Sequence, residues 1–215
     1  GGSGGSLIQG AVLLEELARV CFSTALIAQG YINGPVKAIT VLGTEAQKQR
    51  FLPDAVSGKN IISIAISEPE AGSAVTDMRT KVRKDGDDYI LNGSKCFVTA
   101  GAICTHALVF ARFGDSKGQN GIGAVIVDRD MDGFTVGKPD PKMGGKGVPE
   151  AQLFFDDVRI PKENVLVESD PENRKSFKKL IASFGAERVG NAAMCVGIAQ
   201  GAFDLALEYS KTREQ

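Results

Sequence analysis

The feature that most limits what this chain can fold into is a change of hydrophobic period at Lys59. Upstream, apolar residues recur at helical spacing. Leu7, Ala11, Leu14, Leu17 and Ala18 share one face, and Glu15, Glu16 and Arg19 take the other. A helix of small residues is expected from Ser23 towards Gly30, and a third apolar stretch covers residues 36–42. Thr44-Glu-Ala-Gln47 reads as a capping box opening a fourth helix, with Pro53 kinking it and Gly58 closing it.

From Lys59 the period drops to two. Ile62, Ile64 and Ile66 alternate with Ser63, Ala65 and Ser67, as in a strand with one packed face. Short strands are expected at 80–84, 89–95, 107–113, 122–128, 134–136 and 152–158, with Asp85-Gly86, Asn92-Gly93 and Asp132-Gly133 as turns. This spacing predicts an antiparallel barrel or sandwich of about a hundred residues. A loop over 161–164 and 168–175 then leads into one long helix, from near Ser176 to the end of the chain. The predicted class is α+β: a helical segment (1–58), an antiparallel β-barrel domain (59–165) and a long helix (166–215).

Gly185, Gly190, Gly197 and Gly201 each weaken that last helix by about 1 kcal/mol relative to alanine. They are tolerable only where other helices pack close, and such neighbours are expected to be scarce in this chain. The net charge of −1 argues against a general attraction to nucleic acid or to an anionic membrane. No apolar run approaches the roughly 20 residues that span a bilayer. With His106 the single histidine, histidine-dependent triads and metal centres are not expected. Cys21, Cys96, Cys104 and Cys195 lack paired spacing and read as reduced, mostly buried thiols.

Three places could carry chemistry. Ile66-Ser-Glu-Pro-Glu-Ala-Gly-Ser73 ends a strand in a rigid turn between two hydroxyls, and Cys96-Phe-Val-Thr-Ala-Gly101 ends another in a hydroxyl and a glycine. Two such polar edges could grip a flat heteroaromatic cofactor, or could be ordinary strand-to-loop turns. Glu187 is the third. On a helical wheel Leu180, Phe184, Asn191, Met194 and Ile198 lie within about 60° of it, so its carboxylate is either a desolvated base or one half of an ion pair with an arginine across a helix interface. Gly144-Gly-Lys-Gly147 lacks the spacing of a phosphate loop and reads as a flexible loop, and Arg213 is either an anion contact or a solvated charge near a helix C-terminus.

Ser67-Glu-Pro-Glu-Ala-Gly-Ser73 resembles the first signature of the acyl-CoA dehydrogenases, [ST]-E-P-x-A-G-S-D. Lys95-Cys-Phe-Val-Thr-Ala-Gly101 is similar to their W-I-T-N-G segment, and Phe154-Phe-Asp-Asp-Val-Arg-Ile-Pro-Lys-Glu-Asn164 to their F-x-x-V-x-V-P-x-x-N segment. Gly43-Thr-Glu-Ala-Gln-Lys48 with Phe51-Leu-Pro53, and Tyr209-Ser-Lys-Thr-Arg213, also match in order. Residues 1–6 resemble an expression linker, yet the family carries a glycine-rich turn before Glu15-Glu-Leu-Ala-Arg19. The resemblance therefore implies that they are native, that the chain is an internal fragment and that its last helix is the long helix of a truncated helical bundle.

The resemblance implies an FAD enzyme that removes a Cα proton and a Cβ hydride from an acyl-CoA thioester. Electrons then pass to an electron-transfer flavoprotein. It implies a homo-oligomer, dimer or tetramer, in the bacterial cytoplasm or the mitochondrial matrix, with no metal. Ile64, Ala65, Ile66 and Ser67, with Phe97, Val98 and Thr99, would hold the flavin, and Arg213 its pyrophosphate, from a partner subunit. Ser73 and Arg188 would contact substrate, and Glu187 would be the base. Ala74, Phe97, Ala100, Val148 and Glu150 depart from the usual pattern. They keep open an acyl-CoA oxidase or a flavin enzyme that eliminates a β-substituent. Ala25 stands where the glutaryl-CoA branch carries an arginine, which argues against a dicarboxylic chain. A fragment without flavin or activity of its own is the remaining alternative, motivated by helix glycines that would face solvent.

Overall fold

A computed structural model of the chain describes residues 4–115, 117–169 and 175–215. Helices α1 (Leu7–Val20), α2 (Phe22–Asn33), α3 (Pro35–Leu42) and α4 (Glu45–Val56) come first. The Thr44 capping box forms as expected, its side chain accepting from Gln47 N while Gln47 Oε1 accepts from Thr44 N. A second box, Ser6 with Gln9, opens α1 at the end of the glycine-rich stretch. Helix α4 continues through Pro53 to Val56, and Gly58 lies just beyond it at φ +79°.

Eight strands follow: β1 (Ile62–Ala65), β2 (Lys81–Asp85), β3 (Asp88–Val98), β4 (His106–Phe113), β5 (Ile122–Asp128), β6 (Phe134–Pro139), β7 (Ala151–Ile160) and β8 (Val165–Val167). They form one sheet in the order β6-β7-β3-β2-β4-β5-β8, with β1 on β4. Five of the pairings are antiparallel, as expected. Two are parallel: β1 along His106–Val109 and β2 at Arg112 and Phe113 share one edge of β4. The reason lies in connectivity, because β3 leaves β2 to pair with β7 and the chain then returns to β4 beside strands it has already laid down. Strand β8, three residues long, is too short to show a period.

Alternate residues of β4 and β5 enter two separate cores. Val109, Ala111, Val125 and Val127 face the barrel interior with Leu91, Leu153 and Val158, while Leu108, Phe110, Ile122 and Ile126 face the helices with Ile39 and Phe51. Burial on both faces explains why these two strands are almost continuously apolar.

The single long helix expected at the end is two helices, α5 (Lys175–Ser183) and α6 (Gly185–Thr212). The break falls at Phe184 (φ −96°, ψ 10°), whose ring packs 5.9 Å from that of Phe110. Leu180 and Phe184 stay on the sheet-side core, and α6 turns away to lie along α1 and α2. Of the charged loop expected at 168–175, residues 170–174 lie outside the described residues.

The expectation that neighbours for the helix glycines are scarce is overturned. A Cβ at Gly190 would lie 2.7 Å from Gln29 Cδ on α2, one at Gly197 would lie 3.0 Å from Ala18 Cβ, and one at Gly201 would overlap the Arg19 backbone. Only Gly185 faces open space. The helix contacts are reinforced by Arg19, whose Nε donates to Asp204 at 2.8 Å. The ground for a non-catalytic reading, solvent-facing glycines, is therefore removed at three of the four positions. Among the described residues no helix is long and apolar enough to cross a membrane.

Gly197→Val should cost at least about 1–3 kcal/mol by overpacking. Gly185→Ala should be neutral or stabilising by up to about 1 kcal/mol. Urea unfolding midpoints of the two variants would check this, and equal shifts would contradict the close α1–α6 approach.

Candidate functional site

A cavity of about 270 Å³ opens between α2, the β1 edge, the end of β3 and the first turn of α6. Ile64, Ile66 and Ser67 form one wall, and Cys96, Phe97 and Thr99 a second. Leu26, Ile27, Gly30 and Tyr31 form the α2 wall, and Glu187 reaches in from α6.

The first two walls are stitched together. Cys96 N donates to Ser67 O at 2.9 Å, and Ser63 Oγ donates to Thr99 O at 2.9 Å. Beneath them Lys95, with no exposed side-chain area, donates from Nζ to Ile66 O at 2.9 Å and to Glu68 Oε1 at 2.7 Å. The Glu68 carboxylate also accepts from Arg79 N at 2.6 Å and Thr80 N at 3.0 Å. Burial pulls the Lys95 ammonium down to about 8 against the attraction of Glu68. Burial pushes the Glu68 carboxyl the other way, but Lys95 and its hydrogen bonds outweigh that and hold it below the usual range. Around Pro69 the turn is closed by reciprocal Glu68–Ala71 backbone hydrogen bonds of 3.1 Å.

Phe97 and Ala100 both sit in left-handed backbone, at φ +55° and +58°. For residues other than glycine this costs roughly 1–2 kcal/mol each, and such strain gathers at ligand sites. Its effect here is to turn the Phe97 ring outward, 73% exposed beside the cavity, while Val98 enters the barrel core. Neither the Ser67 nor the Thr99 hydroxyl has a protein hydrogen-bond partner among the described residues. An exposed aromatic ring lining the same cavity as two unpartnered hydroxyls suits a flat ring system with polar edges.

Burial pushes the Glu187 carboxyl above its usual value, opposed by Arg188. No residue forms a salt bridge with it among the described residues, so the reading as half of an interface ion pair is not realised. The continuous apolar stripe expected around it is also corrected, because the break at Phe184 turns Leu180 and Phe184 away from the α6 wheel. Met194 is buried against α1 and α2, while Ile198 is 41% exposed. The burial of Glu187 comes from the cavity.

Of the residues expected at the site, Ile64, Ile66, Ser67, Phe97, Thr99 and Glu187 come together. Ala65 and Val98 bury their side chains in the barrel core and can offer only backbone. Ser73 and Arg188 are exposed and outside the cavity lining. Arg213 caps the far end of α6, about 39 Å from Glu187 at 1.5 Å per residue, so within one chain it cannot serve this cavity. Gln29 and Tyr31 line the site without having been expected there, and Val148, a position the resemblance put near the flavin, lines it too. The one signal for Gln29 was an amide in the middle of a helix of mostly small and apolar residues. The glycine loop at 144–147 packs on the start of α2, with Gly147 N donating to Ser23 Oγ at 3.2 Å.

Three family models match in order: the acyl-CoA dehydrogenase N-terminal domain at 1–59, the middle domain at 63–158 and the C-terminal domain at 177–215. The chain belongs to the acyl-CoA dehydrogenase family. It is 40% identical over 215 residues to the probable acyl-CoA dehydrogenase fadE25 of Mycobacterium leprae, matching all of this chain and 54% of that protein. It is 36% identical to the caffeyl-CoA reductase-Etf complex subunit CarC of Acetobacterium woodii, covering all of this chain and 56% of that one. Among solved structures, butyryl-CoA dehydrogenase from Megasphaera elsdenii superposes with a TM-score of 0.90 at 36% identity, over 99% of this chain and 55% of that one. The chain thus spans just over half the length of the relatives it matches. Ala100 holds a left-handed position that an asparagine would tolerate better.

Breaking the buried pair from one side should be costly. Lys95→Met leaves Glu68 charged and unpaired, and a loss of about 3–5 kcal/mol is expected in urea unfolding. A loss below about 1 kcal/mol would mean that Lys95 is not charged in the folded chain.

Proposed function

We propose that the protein containing this chain desaturates an acyl-CoA thioester at Cα–Cβ, with Glu187 as the base that takes the Cα proton. The observation that carries this reading is the placement of a desolvated, unpaired carboxylate in the same cavity as the Ser67 and Thr99 edges. Bound FAD would supply the two-electron acceptor for the Cβ hydride.

This chain's residues have the other tasks. Ser67, Phe97 and Thr99 would hold the flavin ring, with Ile64 and Ile66 against its face and the Ala65 and Val98 backbones alongside. Arg213 would serve a pyrophosphate only in a partner subunit, which fits a homo-oligomer. Ser73 and Arg188 lie outside the cavity and would meet the carrier portion of the substrate. The α2 wall of Leu26, Ile27, Gly30 and Tyr31 carries no charge, which suits an uncharged acyl chain, and Ala25 is fully buried. Likeness to an Etf-complex subunit supports an electron-transfer flavoprotein as acceptor. Four unbridged cysteines, two buried and two exposed, suit a reducing compartment such as the bacterial cytoplasm or the mitochondrial matrix.

The test is anaerobic bleaching of the flavin band of the full-length protein by a panel of acyl-CoAs. Glu187→Gln should slow bleaching by about 10²–10⁴-fold without abolishing flavin content. Because the base must be deprotonated, the rate should fall as pH drops through the raised Glu187 pKa, so its acidic limb should lie above the usual carboxylate value. Bleaching by Glu187→Gln at the wild-type rate would remove Glu187 as the base. Oxygen consumption without an acceptor protein would instead support the oxidase reading.

A further inference from the structure

Glu187 occupies a weakly supported place. It is the third residue of α6, which starts directly after the Phe184 break with no side-chain cap. Gly185 beside it touches nothing within 4 Å where a side chain would be. Left to itself, such a first turn frays, because its leading N–H groups have no helical acceptor.

One side chain from another element grips this turn. Gln29, in the interior of α2 and only 2% exposed, donates from Nε2 to the backbone carbonyl of Glu187 at 2.6 Å. The same nitrogen lies 3.3 Å from Asn191 Oδ1, one helical turn later. The other end of the amide is also occupied, since Asn33 Nδ2 donates to Gln29 Oε1 at 2.9 Å. Asn33 therefore fixes which way round the amide sits, with Nε2 at the Glu187 carbonyl. Gly190 completes the arrangement. A Cβ there would overlap Gln29 Oε1 and lie 2.7 Å from both Cδ and Nε2, so the carboxamide reaches the Glu187 carbonyl only because position 190 has no side chain.

A buried amide bonded at both ends costs free energy to desolvate unless its partners are fixed. A simple interhelical clip could sit anywhere along α6, whose contacts with α1 are made by the glycines at 197 and 201. This one sits on the residue that carries the carboxylate, and Gln29 itself lines the cavity.

We propose that Gln29, oriented by Asn33 and admitted by Gly190, is a positioning residue that fixes the backbone of Glu187 and so aims its carboxylate at the acyl Cα. The inference rests on Glu187 being the base. It predicts that Gln29 governs the rate of proton removal and has little part in holding acyl-CoA.

The test uses the full-length flavin-loaded protein and Gln29→Met, which keeps the shape and loses the donor. Single-turnover bleaching should slow by about 10–100-fold, the range expected when a reacting group is misplaced by about 1 Å. The Kd for acyl-CoA should stay within about twofold. Amide hydrogen exchange over 185–191 should quicken while the rest of α6 keeps its protection. Combined with Glu187→Gln, Gln29→Met should add no further loss, because it acts through that carboxylate. If Gln29→Met does not fold, Asn33→Ala makes the same test with a smaller slowing, about 3–10-fold. Wild-type bleaching rates with only a lower unfolding midpoint would reduce Gln29 to a structural clip and overturn the proposal. An undiminished extra loss in the double variant would overturn it too. Undiminished bleaching by Glu187→Gln alone would instead strike the base assignment, so the two failures are distinguishable.

Discussion

The site depends first on one buried ion pair. Lys95 and Glu68 lie 27 residues apart, and each belongs to a different motif segment. Removing an ammonium and a carboxylate from water is expensive, and attraction between them offsets that cost only with good geometry and further hydrogen bonds. Here Lys95 also bonds Ile66 O, and Glu68 takes the backbone N–H groups of Arg79 and Thr80. The chain is thus held at four points directly beneath the cavity. Ser67 and Phe97 adjoin these anchors, so the spacing of the two hydroxyl-bearing edges is set by a charge pair almost wholly shielded from solvent.

The second dependence is on small residues. Helix α6 can approach α1 and α2 because positions 190, 197 and 201 carry no side chain. That approach carries the start of α6 across to the barrel edge and brings Glu187 to the cavity. The same residues that weaken the helix locally are what make its tertiary placement possible, as expected when packing overrides intrinsic propensity. Sheet and helices meet in the core around Phe110 and Phe184, which fixes where α5 ends and α6 begins.

Much of this was legible in the sequence, for physical reasons. The switch of period at Lys59 located the change from helices to strands, and the Thr44–Gln47 box marked the start of α4. The two hydroxyl-bearing segments did converge on one cavity with Glu187. What stayed hidden depended on contacts between distant residues. Helical periodicity cannot show a one-residue break, so Phe184 passed unnoticed. Glycine spacing shows that something packs close but not what, and α1 and α2 were overlooked as the partners. Strand alternation carries no direction, which left the two parallel pairings on β4 unread. Gln29 was not singled out, because only α6 lying across it gives the amide its partners.

The central claim is that a carboxylate on α6 faces the acyl Cα across a cleft built by the two motif edges. Exchange of the acyl-CoA α-proton with deuterated solvent tests it most directly, measured by NMR on the full-length protein with a non-oxidisable acyl-CoA analogue. The account predicts exchange catalysed by the wild type and lost in Glu187→Gln with analogue binding retained. Exchange that persists in that variant would contradict it.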